Sequence, residues 1–167
     1  GHNLSRAPGI GYAGAEPFLL HASVEENLRY GNPRASREDI ERAAAMAEAD
    51  AFIAALPDRY ATIIGGRGLA LSDGQRQRLG LARLFLSDPR ILVLDEAFSA
   101  LDLGTDARLR AALRPITREA TVIVVAQRVS TIVEADQIIV LDEGRIVGLG
   151  THDELVDTCP TYAEIVE

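Results

Sequence analysis

Two stretches, Ile91-Leu-Val-Leu94 and Thr121-Val-Ile-Val-Val-Ala126, narrow the folds open to this 167-residue chain more than any other feature. Both are continuous apolar runs rich in β-branched residues and bounded by turns or charges. An amphipathic surface strand would alternate. Continuous runs suit strands covered on both faces, as in a parallel sheet. Between them, about residues 105–113, lies a stretch rich in Arg, Leu and Ala that suits a helix, so the pair predicts a βαβ unit. The fold class expected is α/β.

Around that unit the chain is punctuated by capping boxes, in which a Ser or Thr side chain and an acid or amide three residues on satisfy each other's backbone N–H groups. Ser23-Val-Glu-Glu26 opens a short helix that Gly31-Asn-Pro33 closes. Ser36-Arg-Glu-Asp39 starts a longer one, with Ile40, Ala43, Ala44 and Ala47 at helical spacing. Ser72-Asp-Gly-Gln75 precedes Leu79–Leu86, which is apolar nearly all round apart from Arg83 and therefore predicts a buried helix. Thr151-His-Asp-Glu154 caps a last helical region interrupted by Pro160. Ile10–Ala13 suits a short strand, and Ile138–Leu141 with Arg145–Val147 suits a hairpin around Asp142-Glu-Gly144. Gly1-His2 can be a tag remnant and carries no weight.

Composition excludes several kinds of chemistry. All 17 basic residues are Arg, so no mechanism that needs a lysine (a Schiff base, a Ser-Lys dyad, a phosphate-binding P-loop lysine) can be completed within these residues. A net charge of −8 argues against a nucleic-acid partner, which wants a basic face. No apolar run approaches the roughly 18–20 residues that span a bilayer. Lone Cys159 excludes an internal disulfide framework and suits a reducing compartment, and three dispersed His give no zinc-ligand spacing. His152 and His21 are expected to be solvated residues beside helix caps.

Two segments can carry chemistry. Asp95-Glu96 ends the first apolar run, at the strand edge where open parallel sheets bind ligands. One carboxylate there could hold a hydrated Mg²⁺ and the other activate a water; a solvated strand end followed by a cap is the structural alternative. The Ser72–Gln75 box likewise is either a cap alone or an anion site at a helix N-terminus, with Gly74 allowing close approach. These segments, Asp88-Pro89 and Ser99-Ala-Leu-Asp102 all fall within about thirty residues.

In this order and spacing, Leu71-Ser-Asp-Gly-Gln-Arg-Gln-Arg78, Ile91-Leu-Val-Leu-Asp-Glu-Ala97 and Ser99-Ala-Leu-Asp102 closely resemble the signature motif, Walker B strand and D-loop of ATP-binding cassette (ABC) nucleotide-binding domains. Ile10–Leu20 resembles the Q-loop and Ser23–Gly31 the start of the helical subdomain in the exporter branch. Gly65-Gly-Arg-Gly68 resembles the exporter loop before the signature, where the family usually has Glu at the place of Gly66. Gln127–Asp136, Ile138–Gly144 and Gly150–Leu155 resemble the switch region and C-terminal hairpin.

The resemblance implies a partial P-loop NTPase-like parallel sheet with a helical subdomain, without the Walker A strand. Residues 1–19 would form the Q-loop strand and turn, 20–86 the helical subdomain ending in the signature helix, and 87–167 the Walker B, D-loop and switch core with the hairpin and last helix. It implies Asp95 as the Mg²⁺ carboxylate, Glu96 as catalytic base, Asp102 as the D-loop acid, and Ser72, Gly74 and Gln75 as contacts to ATP held by an opposing cassette. It also implies ATP and Mg²⁺ as ligands, with a transmembrane domain and a second nucleotide-binding domain as partners. The place implied is the cytoplasmic face of a membrane, in a bacterium.

Departures matter equally. The Walker A loop and its lysine have no counterpart here, the Q-loop glutamine falls at Ala15, the switch histidine at Gln127 and the first signature glycine at Asp73. A carboxylate beside a phosphate site should weaken ATP binding. Three readings follow: part of an exporter ATPase that is inactive as an isolated chain; a degenerate cassette lending its signature to a partner's ATP, against which retained Glu96 weighs; and a DNA-repair-type cassette, disfavoured by the acidic charge and the exporter-like loops. Without the Walker A strand, the edges of Thr121–Ala126 and Ile138–Leu141 are expected to lose a partner.

Overall fold

The computed structural model describes residues 9–66 and 68–166, so the expectations for residues 1–8 and for Arg67 lie outside the described residues. The chain forms two compact units, 1–125 and 126–167.

The first unit begins with strand β1 (Ile10–Gly14). The short strand β2 (Ala22–Ser23) runs into helix α1 (Val24–Arg29), and the Ser23 box forms in full: Glu26 N–H donates to Ser23 Oγ at 3.1 Å and Ser23 N–H to the Glu26 carboxylate at 2.9 Å. Ser36 and Asp39 do the same for α2 (Arg37–Met46), which buries Ile40, Ala43 and Ala44. After α3 (Asp50–Ala54), strand β3 (Ile63–Ile64) pairs antiparallel with β2.

Helix α4 (Asp73–Ser87) follows the third box and buries Leu79, Leu81, Ala82, Leu84 and Leu86. Gly80 sits mid-helix for a packing reason, since a Cβ there would come within 2.9 Å of the Pro17 ring. Strand β4 (Ile91–Asp95), helix α5 (Leu103–Thr117) and strand β5 (Thr121–Val125) complete the expected βαβ unit. Helix α5 is longer than the sequence pattern suggested. Asp102 caps its start, and Pro115 is carried in its last turns, where it removes one backbone donor without ending the helix.

The sheet order is β1-β4-β5, both pairs parallel, with Gly14, Asp95 and Val125 in one register at the C-terminal edge. This is the parallel α/β architecture expected. One local expectation fails. β4 is covered, with Leu92 and Leu94 buried, but among the described residues β5 is the sheet edge and leaves Val122, Ile123 and Val125 exposed.

In the second unit, β6 (Ile138–Asp142) and β7 (Arg145–Gly150) form the hairpin around Glu143 and Gly144, both at positive φ, with a bulge at Val140/Leu141. Helices α6 (His152–Thr158) and α7 (Pro160–Val166) cover it through Leu155, Cys159 and Tyr162. Pro160 begins a separate helix. His152 is half-buried and its Nδ1 lies 2.9 Å from the Tyr162 hydroxyl, a partner that the solvated reading did not foresee.

Candidate functional site

The chemistry-bearing residues gather where β4 ends. Asp95 accepts a hydrogen bond from the Tyr12 hydroxyl at 3.2 Å. Burial, and then this bond to a carboxylate, raises the Tyr12 phenol above its ordinary value. Glu96 leaves the strand with φ +53, a conformation uncommon outside glycine and concentrated at functional sites. Its backbone is held on both sides: its N–H donates to the Val125 carbonyl at 2.9 Å, and its carbonyl accepts from Ser99 N–H at 3.2 Å.

The N-terminus of α4 carries the second group. Ser72 N–H donates to Gln75 Oε1 at 2.9 Å and Gln75 N–H to Ser72 Oγ at 3.2 Å, so these side chains cap one another. The Ser72 hydroxyl proton and the Gln75 NH₂ remain available as donors. The exposed Asp73 carboxylate pairs with Arg76 one turn on. Gly74 faces the Ala100 carbonyl so closely that a Cβ would lie 3.1 Å from it.

Asp102 is the N-cap of α5. It accepts from Thr105 N–H at 2.9 Å and from the Thr105 hydroxyl at 2.7 Å, and these bonds, the backbone one first, hold its carboxyl below the usual range. The Ala15 carbonyl accepts from Gln77 Nε2 at 3.0 Å. Ala15, Gln77, Gly74, Glu96 and Ser99–Ala100 therefore form one connected set in the first unit, whereas Gln127 is an exposed residue of the second unit. Gln77 escaped the sequence reading as an individual residue. Its signal was a polar residue on the buried stripe of α4, in step with Leu81 and Leu84.

A groove of about 450 Å³ lies beside this set, between Glu16–Leu19 and the Gly65–Leu71 loop. Phe18 stands 76% exposed on its rim, and His21 Nδ1 lies 3.0 Å from the Gly65 carbonyl. The chain leading into the groove is fastened by a half-buried cation that has no acid partner among the described residues. Arg83 donates to the Phe18 carbonyl, the Asn27 carbonyl (2.7 Å) and Asn27 Oδ1 (2.6 Å), while Asn27 also bonds Leu20 N–H at 2.9 Å. Burial pushes the Arg83 guanidinium down to about 10, which leaves it charged at neutral pH.

Among the described residues, no cluster of three or more His, Cys, Asp or Glu could hold a metal by protein ligands alone. The sequence model of the family described as ABC transporter matches residues 3–99. The chain belongs to the ABC transporter family.

A mitochondrial potassium channel ATP-binding subunit of Xenopus tropicalis is 43% identical over 157 residues, 94% of this chain and 23% of the relative. An ABC transporter B family member of Dictyostelium discoideum is 43% identical over 94% of this chain and 11% of its own length. Among solved structures, a bacterial Atm1-family ABC exporter with ATP bound superposes with a TM-score of 0.88 at 38% identity, covering 95% of this chain and 28% of the exporter. The chain thus spans between 11% and 28% of the length of these proteins. Its place in the family is with the ATP-binding parts of ABC exporters. No helix among the described residues is long and apolar enough to cross a membrane.

Proposed function

We propose that these residues serve in the ATP-binding and ATP-hydrolysing domain of an ABC exporter that drives transmembrane transport. The observation that carries the reading is the pair Asp95-Glu96 at the C-terminal edge of the parallel sheet, with Glu96 turned into the left-handed region and anchored on both sides.

The residues present fit the implied ligands. Asp95 accepts a single side-chain hydrogen bond, which leaves lone pairs for a hydrated cation, and Mg²⁺ is ordinarily held by one or two carboxylates with waters and phosphates. When bound, it neutralises charge on the phosphate oxygens. Glu96 takes the proton of the attacking water as general base. Ser72, Gly74 and Gln75 offer a hydroxyl, an amide and first-turn N–H groups to the phosphates of a nucleotide held by a second cassette. Asp102 shapes the D-loop through its cap on α5. Residues 1–19, 20–86 and 87–167 are assigned as Q-loop turn, helical subdomain and Walker B/switch core. Two partners are assigned, a second nucleotide-binding domain and a membrane-spanning domain. The groove beside exposed Phe18 supports the second, at the inner face of a bacterial cell membrane. No role with nucleic acid is assigned, in keeping with the charge of −8.

In the whole protein that carries this chain, Glu96→Gln should lower ATPase turnover by about 10²–10⁴-fold, the usual worth of a general base. The isolated chain should hydrolyse no ATP, because without a lysine or phosphate cradle it lacks the electrostatic grip that supplies most of the rate.

A second reading has its own support. Ala15, Asp73 and Gln127 replace three residues of the family's pattern, and Asp73 puts a carboxylate on the signature turn. A degenerate cassette that only lends its signature to a partner's ATP would keep full ATPase activity in Glu96→Gln. That result would replace the first reading with the second.

A further inference from the structure

Gln77 is 2% exposed on the core face of α4, among Leu81, Leu84 and Gly80. A primary amide there is tolerated only if its polar atoms are bonded, and each is, to groups outside its own helix. Nε2 donates to the Ala15 carbonyl at 3.0 Å and to Ser99 Oγ at 2.8 Å, with the Glu96 carbonyl at 3.5 Å. Oε1 accepts from Ala100 N–H at 3.0 Å. Only one amide orientation fits, because Ala100 N–H must donate and Ala15 O must accept.

We infer that Gln77 is a positioning residue that holds the Glu96 turn and ties it rigidly to the signature helix, an inference that rests on the hydrolytic reading of this site. Three features of the geometry converge. The left-handed backbone of Glu96 is a conformation that its surroundings must enforce. The Val125 carbonyl supplies one side of that enforcement and Ser99 N–H the other, and Gln77 in turn holds Ser99 by its hydroxyl and Ala100 by its N–H. One turn earlier on α4, Gly74 lies so close to the Ala100 carbonyl that a Cβ would come within 3.1 Å of it, so consecutive turns of one helix grip the same loop.

Ser72 and Gln75 occupy that first turn. A shift of α4 as they engage a phosphate therefore moves the loop that carries the general base. The link crosses the hydrogen bonds of one buried side chain, to the Ser99 hydroxyl and to the Ala15 and Ala100 backbone, and one close contact at Gly74. It needs a group that donates and accepts at once, which an amide does. An ionised carboxylate only accepts, and an aliphatic chain does neither.

The test uses the whole protein that carries this chain, with its membrane part, and Mg-ATP. Gln77→Leu should lower kcat by about 10–100-fold while KM for ATP stays within about threefold, as expected when a base is displaced by a fraction of an ångström. Hydrogen exchange at Ser99 and Ala100 should accelerate by about tenfold or more, with the interior of α4 unchanged. Gln77→Glu should regain part of its activity relative to wild type as pH falls from about 8 to 6, because burial disfavours the charged carboxylate and only the protonated acid, with its single O–H, can donate to Ser99 Oγ or the Ala15 carbonyl while accepting from Ala100 N–H.

A Gln77→Leu protein with kcat within about twofold of wild type, or one losing activity only in proportion to its folded fraction with loop exchange unchanged, would overturn the inference. So would a flat pH ratio in Gln77→Glu. If the wild-type protein hydrolyses no ATP, the hydrolytic reading is what fails. Exchange at Ser99 and Ala100 then decides alone: acceleration in Gln77→Leu keeps the positioning role, and no change removes it.

Discussion

Strands β4 and β5 are nearly interchangeable as sequence, yet they live in different environments. Ile91-Leu-Val-Leu94 and Thr121-Val-Ile-Val-Val125 are both continuous apolar runs of one parallel sheet. β4 is hydrogen-bonded on both edges and buries Leu92 and Leu94 in the main core with Leu109 and Leu113 of α5. Among the described residues β5 is bonded on one edge, with Ile123 49% and Val125 50% exposed. The difference lies in neighbours rather than composition. An apolar β-branched run states that a strand is fit to be covered, and position in the sheet decides whether it is. The acids of the candidate site sit at the end of the covered strand, where the backbone is held on both sides. The uncovered strand offers an edge to another element. The hairpin of the second unit repeats the pattern, with Ile139, Leu141, Ile146 and Leu149 exposed.

The contrast can be broken by substitution. The largest effect is expected at the covered strand: Leu92→Ala should cost about 2–5 kcal/mol, enough to abolish a cooperative urea transition in a marginally stable chain. Ile123→Ala, on the half-exposed strand, should cost under about 1.5 kcal/mol in the same experiment. Equal losses would erase the distinction. Ile123→Glu should reduce self-association measured by light scattering, since an open apolar edge is a template for pairing.

Next in size is Arg83→Met, which leaves the Asn27 carbonyl of α1 and the Phe18 carbonyl without their donor. A loss of about 1–3 kcal/mol is expected by denaturant titration, with increased protease cleavage near Phe18. Gly74→Ala should follow, at about 1–2 kcal/mol, because the new methyl must displace the Ala100 carbonyl.

The smallest effect should be shared by both units and so serves as the control. Backbone N–H donors hold Glu26 and Glu154 below their usual values, as the Ser36 hydroxyl, followed by its N–H, does for Asp39. Folded values below unfolded ones mean that these caps contribute fully above the ordinary carboxylate values of 4.5 and 3.8 and lose that contribution as pH falls through the lowered ones. Thermal midpoints by circular dichroism should decline modestly over that acid range.

Much of this molecule was legible because its signals are local. The four capping boxes at Ser23, Ser36, Ser72 and Thr151 form as the sequence indicates, since each is decided within four residues. The parallel strands and the hairpin were readable for the same reason. The ends of α5 were not, because tertiary packing of Leu113 carries the helix through Pro115. Cover over the faces of β5 was misread from its composition, because it depends on a neighbour rather than on the strand, whereas its open edge among the described residues is the one expected without the Walker A strand. At the site, Asp95-Glu96 announced themselves as acids after an apolar run. The left-handed turn of Glu96 and the bonds of Gln77 did not, since the latter join residues up to 62 positions apart.

The central claim is that these residues hold the acids and the signature helix of a nucleotide site but not the grip on its phosphates. Calorimetric titration of the purified, cooperatively melting chain with Mg-ATP tests it most directly. The account predicts no binding heat. Saturable binding that Asp95→Asn abolishes would contradict it, because the fold would then contain a complete nucleotide site of its own.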